Sequence, residues 1–454
     1  MAVRSPTGNI FADAASLAAN SYSNTPDADV ARGWHPLSAA ELGIASTGSF
    51  DGNTYTLQNG IYIGANGTNS AVAHVYVGEV NGATTLALAF RGTDEIPGDL
   101  RDHLHFTDHF AKFQPLMTAI QNYVDDPSHG VDKVLLAGHS LGSAMVTTAM
   151  VEQGWLNDPK FLGVAIASHG TDASLAASAP SEVTNLVNFI HTQDFLVLAK
   201  ENGLPASAIG DLSDVAPPVG GEADFEPKAR IGTDVWIDTG NATHLVEAAA
   251  GGTLEDPVTA EHRIGRYEAD ITTLAQHQEL QPAALLSSNA PRYFAVGTDR
   301  ADNFAQDQVF DSDSLNKDFF PTKDFDQHIY GGAGNDMIGG SGGNDFIDGG
   351  AGTDTAYYRD ASAAYSITTA NGVTTIAQTS PGTGPSDGTD TLVNVEVLHF
   401  ADGDRAPDGT PLAPTGTSPA LGQATTVAEN LIHDTGVMLA GIGDAISNQF
   451  DQIF

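Results

Sequence analysis

The residues best suited to chemistry in this chain lie in Gly138-His139-Ser140-Leu141-Gly142. A serine hydroxyl is a poor nucleophile until a base takes its proton, an acid orients that base and N–H donors receive the oxyanion. The G-x-S-x-G spacing serves that chemistry. A serine raised above a sheet edge must stand on a sharp strand-to-helix turn, and the crowded positions two residues either side admit only glycine. The helix that follows aims its first N–H groups and positive dipole end at the place where negative charge develops. A bare G-x-S-x-G string recurs by chance. Here it stands between an apolar run, Val131 to Ala137, and a small-residue run, Ser143 to Val151, which read as strand then helix. That context favours a serine hydrolase over a helix start that only packs closely.

The partners follow from order and placement. The first oxyanion donor is the main-chain N–H of Leu141, the residue after the nucleophile. Thr93 fits the second, because Leu86 to Phe90 reads as a strand and Gly92 lets the chain turn. In the order Ser, Asp, His, the acid follows a strand beyond the elbow; Asp194 does so at the exit of Leu186 to Ile190. The base comes last. His262, just ahead of a helix carrying Ile264, Tyr267 and Ile271, is favoured over His244 and His277. Asp172 is the rival acid. His103, His105 and His109 with Asp102 and Asp108 lack zinc-site spacing and read as a solvated segment. Trp155 and Trp236 are most simply core or pocket wall.

A second group of oxygen-bearing residues recurs in register. Gly331 to Gly339, Gly340 to Asp348 and Gly349 to Asp354 repeat G-G-x-G-x-D-x-U-x every nine residues. The glycines allow tight turns, Asp336, Asp345 and Asp354 supply hard oxygens suited to Ca²⁺, and Ile338 and Ile347 point inward. A flexible linker has no reason to hold Asp in such a register. If each unit makes half a coil, a cation is shared by units eighteen residues apart. Asp336 and Asp354 then face one edge and Asp345 the other, where Asp326 stands one residue out of register. Asp299, Asp302, Asp307, Asp311, Asp313, Asp318 and Asp324 read as decayed repeats.

The elements that must position these groups alternate. A helix over 10–22 precedes strands at 54–57, 61–63 and 71–77, and Asn81-Gly82 turns into a strand over 84–90. A helix over 109–124, the elbow, strands over 161–167 and 185–190 and a helix over 262–280 follow. This alternation predicts an α/β domain with a mostly parallel sheet. Residues 200–235, acidic and rich in Gly, Pro and Ala, read as a long insertion over it. Near 290 helical signals stop and Asp, Gly and Asn dominate.

With 454 residues, 41% of them hydrophobic, the chain has material for two or three domains. Net charge −39 argues against nucleic acid or anionic membrane as partners and fits a cation binder. There is no Cys, so disulfides contribute nothing. Residues 1–10 are polar and no stretch reaches transmembrane length, which predicts neither a Sec signal peptide nor an integral membrane segment.

The first part, over roughly residues 10–280, resembles the fungal-type (class 3) lipases. The most specific parts are Phe90-Arg91-Gly92-Thr93, His109-Phe110 and Gly138-His139-Ser140-Leu141-Gly142. The resemblance implies an α/β-hydrolase fold, ester hydrolysis of a lipid substrate without an organic cofactor, and a lid. Its counterpart here, 94–106, is short and polar, and 200–235 is a second candidate cover. Asp172 follows Ser168-His169-Gly170, where that family has a structural turn.

The repeats resemble the RTX family of calcium-binding β-rolls, and Asp387 to Glu396 with Phe400 to Gly403 is similar to the segment that closes such rolls. That resemblance implies an all-β parallel β-roll holding Ca²⁺ along Gly331, Ala333, Asp336, Gly340, Gly342, Asp345, Gly349, Ala351 and Asp354. It also implies secretion to the extracellular space through a type I apparatus. Asp451-Gln452-Ile453-Phe454 looks like the uncleaved signal for it. The expected domains are a hydrolase over 1–288, a roll over 289–410 and a secretion-signal region over 411–454. The expected activity is that of a lipase or carboxylesterase, with a phospholipase A1 or a non-catalytic calcium-dependent surface protein as alternatives.

Overall fold

A computed structural model describes residues 8–66, 69–92, 106–192, 194, 228–239, 264–287, 292–297, 301–302, 304, 326–340, 342–382 and 386–413. The chain forms two compact units, the second built mainly from Tyr293 onward.

In the first unit, β1 (His35–Pro36), β2 (Thr47–Phe50), β3 (Asn53–Gln58), β4 (Ile61–Asn66), β5 (Asn69–Val80) and β6 (Ala83–Phe90) precede the elbow. Strands β2 to β6 form an antiparallel meander, and β1 pairs with β5. The turn into β6 uses Asn81 at φ 52 and Gly82 at φ 83, both left-handed, as a two-residue hairpin requires. From β6 the sheet turns parallel through β7 (Lys133–His139), β8 (Phe161–Ile166) and β10 (Leu186–His191). A short antiparallel ribbon joins β9 (Thr171–Asp172) to β11 (Lys228–Ala229), and β12 (Thr233–Asp238) lies beside β10.

The parallel strands are buried almost throughout, because helices cover both faces of such a sheet. The helices are α1 (Ile10–Asn20), α2 (Asp27–Ala31), α3 (Phe106–Phe110), α4 (Gln114–Asp125), α5 (Leu141–Glu152), α6 (Ala173–Ala176), α7 (Ile264–Gln276) and α8 (Pro282–Leu285). Helix α1 starts where the Asn9 carboxamide accepts the N–H groups of Phe11 and Ala12. It buries Phe11 edge-on against Phe189 of β10 and packs on α7. Leu88, Phe90, Phe113, Leu136, Leu141 and Met145 share one core.

The helix expected over 109–124 is α3, a 3-10 turn at Ala111–Phe113 and α4, with Pro115 in the first turn of α4. Strand β12 falls partly in the segment read as an insertion. Its Thr233-Asp234-Val235-Trp236-Ile237-Asp238 alternates buried and half-buried side chains, a period-2 signal hidden by the Gly- and Pro-rich residues before it.

The second unit comprises β13 (Arg292–Val296), β14 (His328–Tyr330), β15 (Ala333–Gly334), β16 (Met337–Ile338), β17 (Phe346–Asp348), β18 (Ala351–Gly352), β19 (Thr355–Tyr357), β20 (Tyr365–Ala370), β21 (Val373–Gln378), β22 (Thr389–Val393), β23 (Val397–Phe400) and β24 (Gly403–Arg405). Strands β13, β14, β17 and β22 stack in parallel on one side, and β16, β19 and β23 on the other. His328 pairs with Phe346, Ala333 with Ala351 and Met337 with Thr355, so each full coil spans two nonapeptides. Phe304, Ile338, Ile347, Ala356, Leu392 and Leu398 fill the interior. A Cβ on Gly352 would fall 1.4 Å from the Gly334 carbonyl oxygen of the neighbouring coil, which explains the glycine there. The hairpin β20–β21 turns at Asn371 (φ 54) and Gly372 (φ 78), an Asn-Gly signal that escaped the sequence analysis.

Candidate active site and calcium-binding roll

Ser140 stands between the end of β7 and the start of α5 at φ 56, ψ −123. A non-glycine residue there is strained by roughly 1–3 kcal/mol and persists only because its surroundings hold it. Its N–H donates to Ile166 O at 3.0 Å, and its carbonyl accepts from Ser143 N at 2.9 Å and Ser143 Oγ at 2.6 Å. A Cβ on Gly138 would lie 2.2 Å from Gly142 O, and one on Gly142 the same distance from Phe90 O. Both glycines are therefore demanded by backbone packing. Gly138→Ala and Gly142→Ala are each expected to cost about 3 kcal/mol, read as a lower urea midpoint with unchanged slope.

Leu141 opens α5, so its N–H is one of the helix's first donors. Thr93 lies outside the described residues. Gly92, just before it, follows β6, whose Phe90 pairs with Gly138. A small cleft beside this turn is lined by Ser70, Val72, Arg91, Gly92, His109 and Leu141.

Asp194 is fully buried, and its Oδ2 accepts from Tyr267 Oη at 2.9 Å. Tyr267 Oη accepts in turn from His191 N at 2.8 Å, and the His191 ring stacks on the tyrosine at 3.5 Å. His191 Nε2 lies 3.0 Å from Asp270 Oδ2, which Arg266 also reaches at 3.1 Å. Tyr267 thus ties α7 to Asp194, and its ring centroid lies 6.1 Å from that of His139, the residue before the serine. Sequence reasoning saw Tyr267 only as an apolar helix residue, and no spacing rule singles out its hydroxyl. His262 and His244 lie outside the described residues. His277 is exposed just past the far end of α7, ten residues beyond Tyr267, or about 15 Å along a helix.

Asp172 is engaged elsewhere. It accepts from Phe106 N at 3.1 Å and from Thr107 N and Oγ1 at 3.0 and 3.1 Å, and it forms a buried ion pair with Lys228. Burial raises its pKa, but Lys228 and the two N–H groups outweigh burial and hold the carboxyl below its usual range. Asp172→Asn is expected to destabilise the fold by about 3 kcal/mol, since it leaves a buried ammonium uncompensated, with kcat of the folded fraction unchanged. Thermal melts alongside active-site-titrated rates separate the two effects.

In the roll, the carboxylates form two columns. Asp302 N donates to Asp336 Oδ1 at 2.8 Å, Asp336 N to Asp354 Oδ1 at 2.8 Å and Asp354 N to Glu396 Oε2 at 2.9 Å. On the opposite edge, Gln327 N donates to Asp345 Oδ1 at 2.8 Å and Asp345 N to Asp390 Oδ1 at 3.0 Å. The position level with Asp345 is therefore Gln327, while Asp326 accepts from Asn344 N at 2.7 Å one residue away. Of the upstream aspartates, Asp302 lies in a column; Asp299, Asp307, Asp311, Asp313, Asp318 and Asp324 lie outside the described residues.

These residues fit a hard cation. Asp336 Oδ2 and Asp354 Oδ2 are buried without a hydrogen-bond partner. A Cβ on Gly331 would lie 2.6 Å from Asp336 Oδ2, and one on Gly349 would lie 2.8 Å from Asp354 Oδ2, so each carboxylate folds back on the glycine that begins its repeat. Burial, and then the neighbouring carboxylates, push Asp336 up to about 6 and Asp345 up to about 8. Among the described residues no three acidic, His or Cys side chains converge. A cation held among the described residues would draw on main-chain oxygens as well, as Ca²⁺ with its six to eight oxygen ligands does.

The strand order and serine elbow define the first unit as an α/β-hydrolase fold, and the coil register defines the second as a parallel β-roll. Residues 322–356 match the RTX calcium-binding nonapeptide repeat family, in 4 copies. No curated protein matches the chain in sequence. Among solved structures, an extracellular lipase from Serratia marcescens shares 16% identity over 82% of this chain, with a TM-score of 0.46. The chain spans 61% of that lipase. A triacylglycerol lipase with a serine protease triad shares 14% identity over 49% of this chain and 77% of its own, with a TM-score of 0.29. A fungal lipase shares 17% over 51% and 78%, with a TM-score of 0.28. Among the described residues no helix is long and apolar enough to cross a membrane.

Proposed function

We propose that the chain is a secreted carboxylic-ester hydrolase of lipase type, with Ser140 as nucleophile, His262 as base and Asp194 as acid. The observation that carries this is the strained Ser140 perched between β7 and α5, with the glycines either side packed against backbone. His262 takes the Ser140 proton as the hydroxyl attacks the ester carbonyl, and then returns it to the leaving alcohol. Asp194 holds the imidazole in the required tautomer. The N–H groups of Leu141 and Thr93 stabilise the tetrahedral oxyanion, and water then releases the acid from the acyl-enzyme.

Position in the sequence supports His262 over His277. It stands five residues before Tyr267, whose hydroxyl holds Asp194, whereas His277 lies past the other end of α7. The proposed boundaries are a hydrolase over 1–288, a roll over 289–410 and a secretion-signal region over 411–454, exported by a type I apparatus. Ca²⁺, when bound, neutralises the carboxylates of the roll. Asp336, Asp345 and Asp354 would hold it with Gly331, Ala333, Gly340, Gly342, Gly349 and Ala351.

The test is hydrolysis of p-nitrophenyl butyrate by His262→Ala, His244→Ala and His277→Ala. A loss of about a thousandfold or more confined to His262→Ala is expected. A wild-type rate for that variant would remove His262 from the mechanism. A head-group panel then separates acylglycerol from phospholipid hydrolysis.

A further inference from the structure

The turn at Gly92 lies against the elbow, and the residues around it show what holds it there. Tyr22, just past α1, hydrogen-bonds through Oη to His139 Nδ1 at 2.8 Å. The two rings meet edge to face, with centroids 5.9 Å apart. The same hydroxyl lies against Gly92: a Cβ there would fall 2.1 Å from Tyr22 Oη and 2.6 Å from His139 O. One hydroxyl thus touches both the residue before the nucleophile and the residue before Thr93.

Tyr22 is itself held from the same loop. Arg91, nine-tenths buried, donates through Nε to Ser21 O at 2.6 Å and through Nη2 to Ser23 O at 2.7 Å and Asn24 Oδ1 at 3.1 Å. Its guanidinium therefore grips the main chain on both sides of Tyr22, a fork geometry that lysine cannot supply. The chain runs from Arg91 to the carbonyls of Ser21 and Ser23, through the Tyr22 side chain to His139, and back to Gly92. The His139 ring also makes an edge contact with that of Tyr267, which holds Asp194.

We propose that Tyr22 is a positioning residue for ester hydrolysis, whose hydroxyl fixes the Gly92 turn against His139 and so holds the Ser140–Leu141 elbow, with the Leu141 N–H, in place. It does not touch the reacting atoms. Its effect falls on the tetrahedral state, where donors must lie about 2.7–3.1 Å from the developing oxyanion, and much less on ground-state binding. The inference rests on the proposed esterase activity.

The test uses the full chain in millimolar calcium with p-nitrophenyl butyrate. Tyr22→Phe keeps the ring and removes the hydroxyl. It is expected to lower kcat about tenfold, with KM within twofold and an unchanged melting temperature. Inactivation by a serine-directed phosphonate, whose adduct places an oxygen in the same hole, should slow by the same factor. His139→Asn, whose amide reaches the place of Nδ1, should retain at least half of kcat, while His139→Leu should match Tyr22→Phe and add nothing to it in the double variant. A wild-type kcat for Tyr22→Phe overturns the proposal, as does a loss in which KM or melting temperature shifts in proportion. If the His139→Leu and Tyr22→Phe losses multiply in the double variant, the hydroxyl does not act through His139 and the proposal also fails. Ser140→Ala is measured in parallel. Full activity there removes the esterase reading itself, whereas an inactive Ser140→Ala beside a wild-type Tyr22→Phe removes only the role of Tyr22.

Discussion

Ser140→Ala is expected to lower kcat on a short p-nitrophenyl ester by about ten-thousandfold or more, with the fold intact. Groups that act as one unit in acyl transfer lose nearly all of their joint effect when the nucleophile goes, and the residual rate comes from oxyanion binding alone. The side chain's burial does not argue for a structural role, because the main-chain contacts of Ser140 to Ile166 and Ser143 are unaffected by loss of the hydroxyl. Ser140→Gly sharpens the test. At φ 56, ψ −123 glycine carries no Cβ penalty, so this variant should be inactive and yet more stable, by about 1 kcal/mol, than the wild type. A residue that loses activity and gains stability on substitution is held in strain for its chemistry. Wild-type turnover by Ser140→Ala would leave a hydrolase fold without hydrolase chemistry.

The second large effect is calcium-linked folding of the roll. Burial, reinforced by like charges, pushes Asp345 up to about 8, Asp390 up to about 7 and Asp336 up to about 6, against 3.8 for an ordinary aspartate. Between pH 4 and 8 the folded roll therefore binds more protons than the unfolded chain, and its stability falls as pH rises through that window. In chelator, the melting temperature of the second unit is expected to drop by about 10 °C or more from pH 4.5 to pH 8.5. In millimolar Ca²⁺ the profile should be nearly flat, since the cation replaces the protons. Asp336→Ala with Asp354→Ala should abolish most of the calcium-dependent gain in β signal by circular dichroism. A roll whose spectrum and melting ignore chelator at pH 8.5 would refute calcium-linked folding.

Parts of both units are legible from local pattern alone. Gly138, Ser140 and Gly142 announce the elbow because its constraints act within five consecutive residues. The β-roll is legible for the same reason: its coil repeats one short unit, so the eighteen-residue pairing of Asp336 with Asp354 follows from register. Elements without a local constraint were hidden. Strand β12 follows a stretch whose composition suggests loop, and at position 327, where spacing placed the partner of Asp345, the contact is made by the Gln327 main-chain N–H rather than by an acidic side chain.

Sequence alone determined the two architectures and the place of the serine elbow, since each is written in glycine positions and hydrophobic periods that act over a few residues. Only the tertiary structure decided what the partners do. It joined Asp172 to Lys228 and α3, brought Tyr267 from α7 to Asp194, and brought Tyr22 from the N-terminal helix to His139 and Gly92. Those contacts cross between 56 and 117 positions of chain, where spacing carries no information and packing of the sheet and its helices settles which side chains meet.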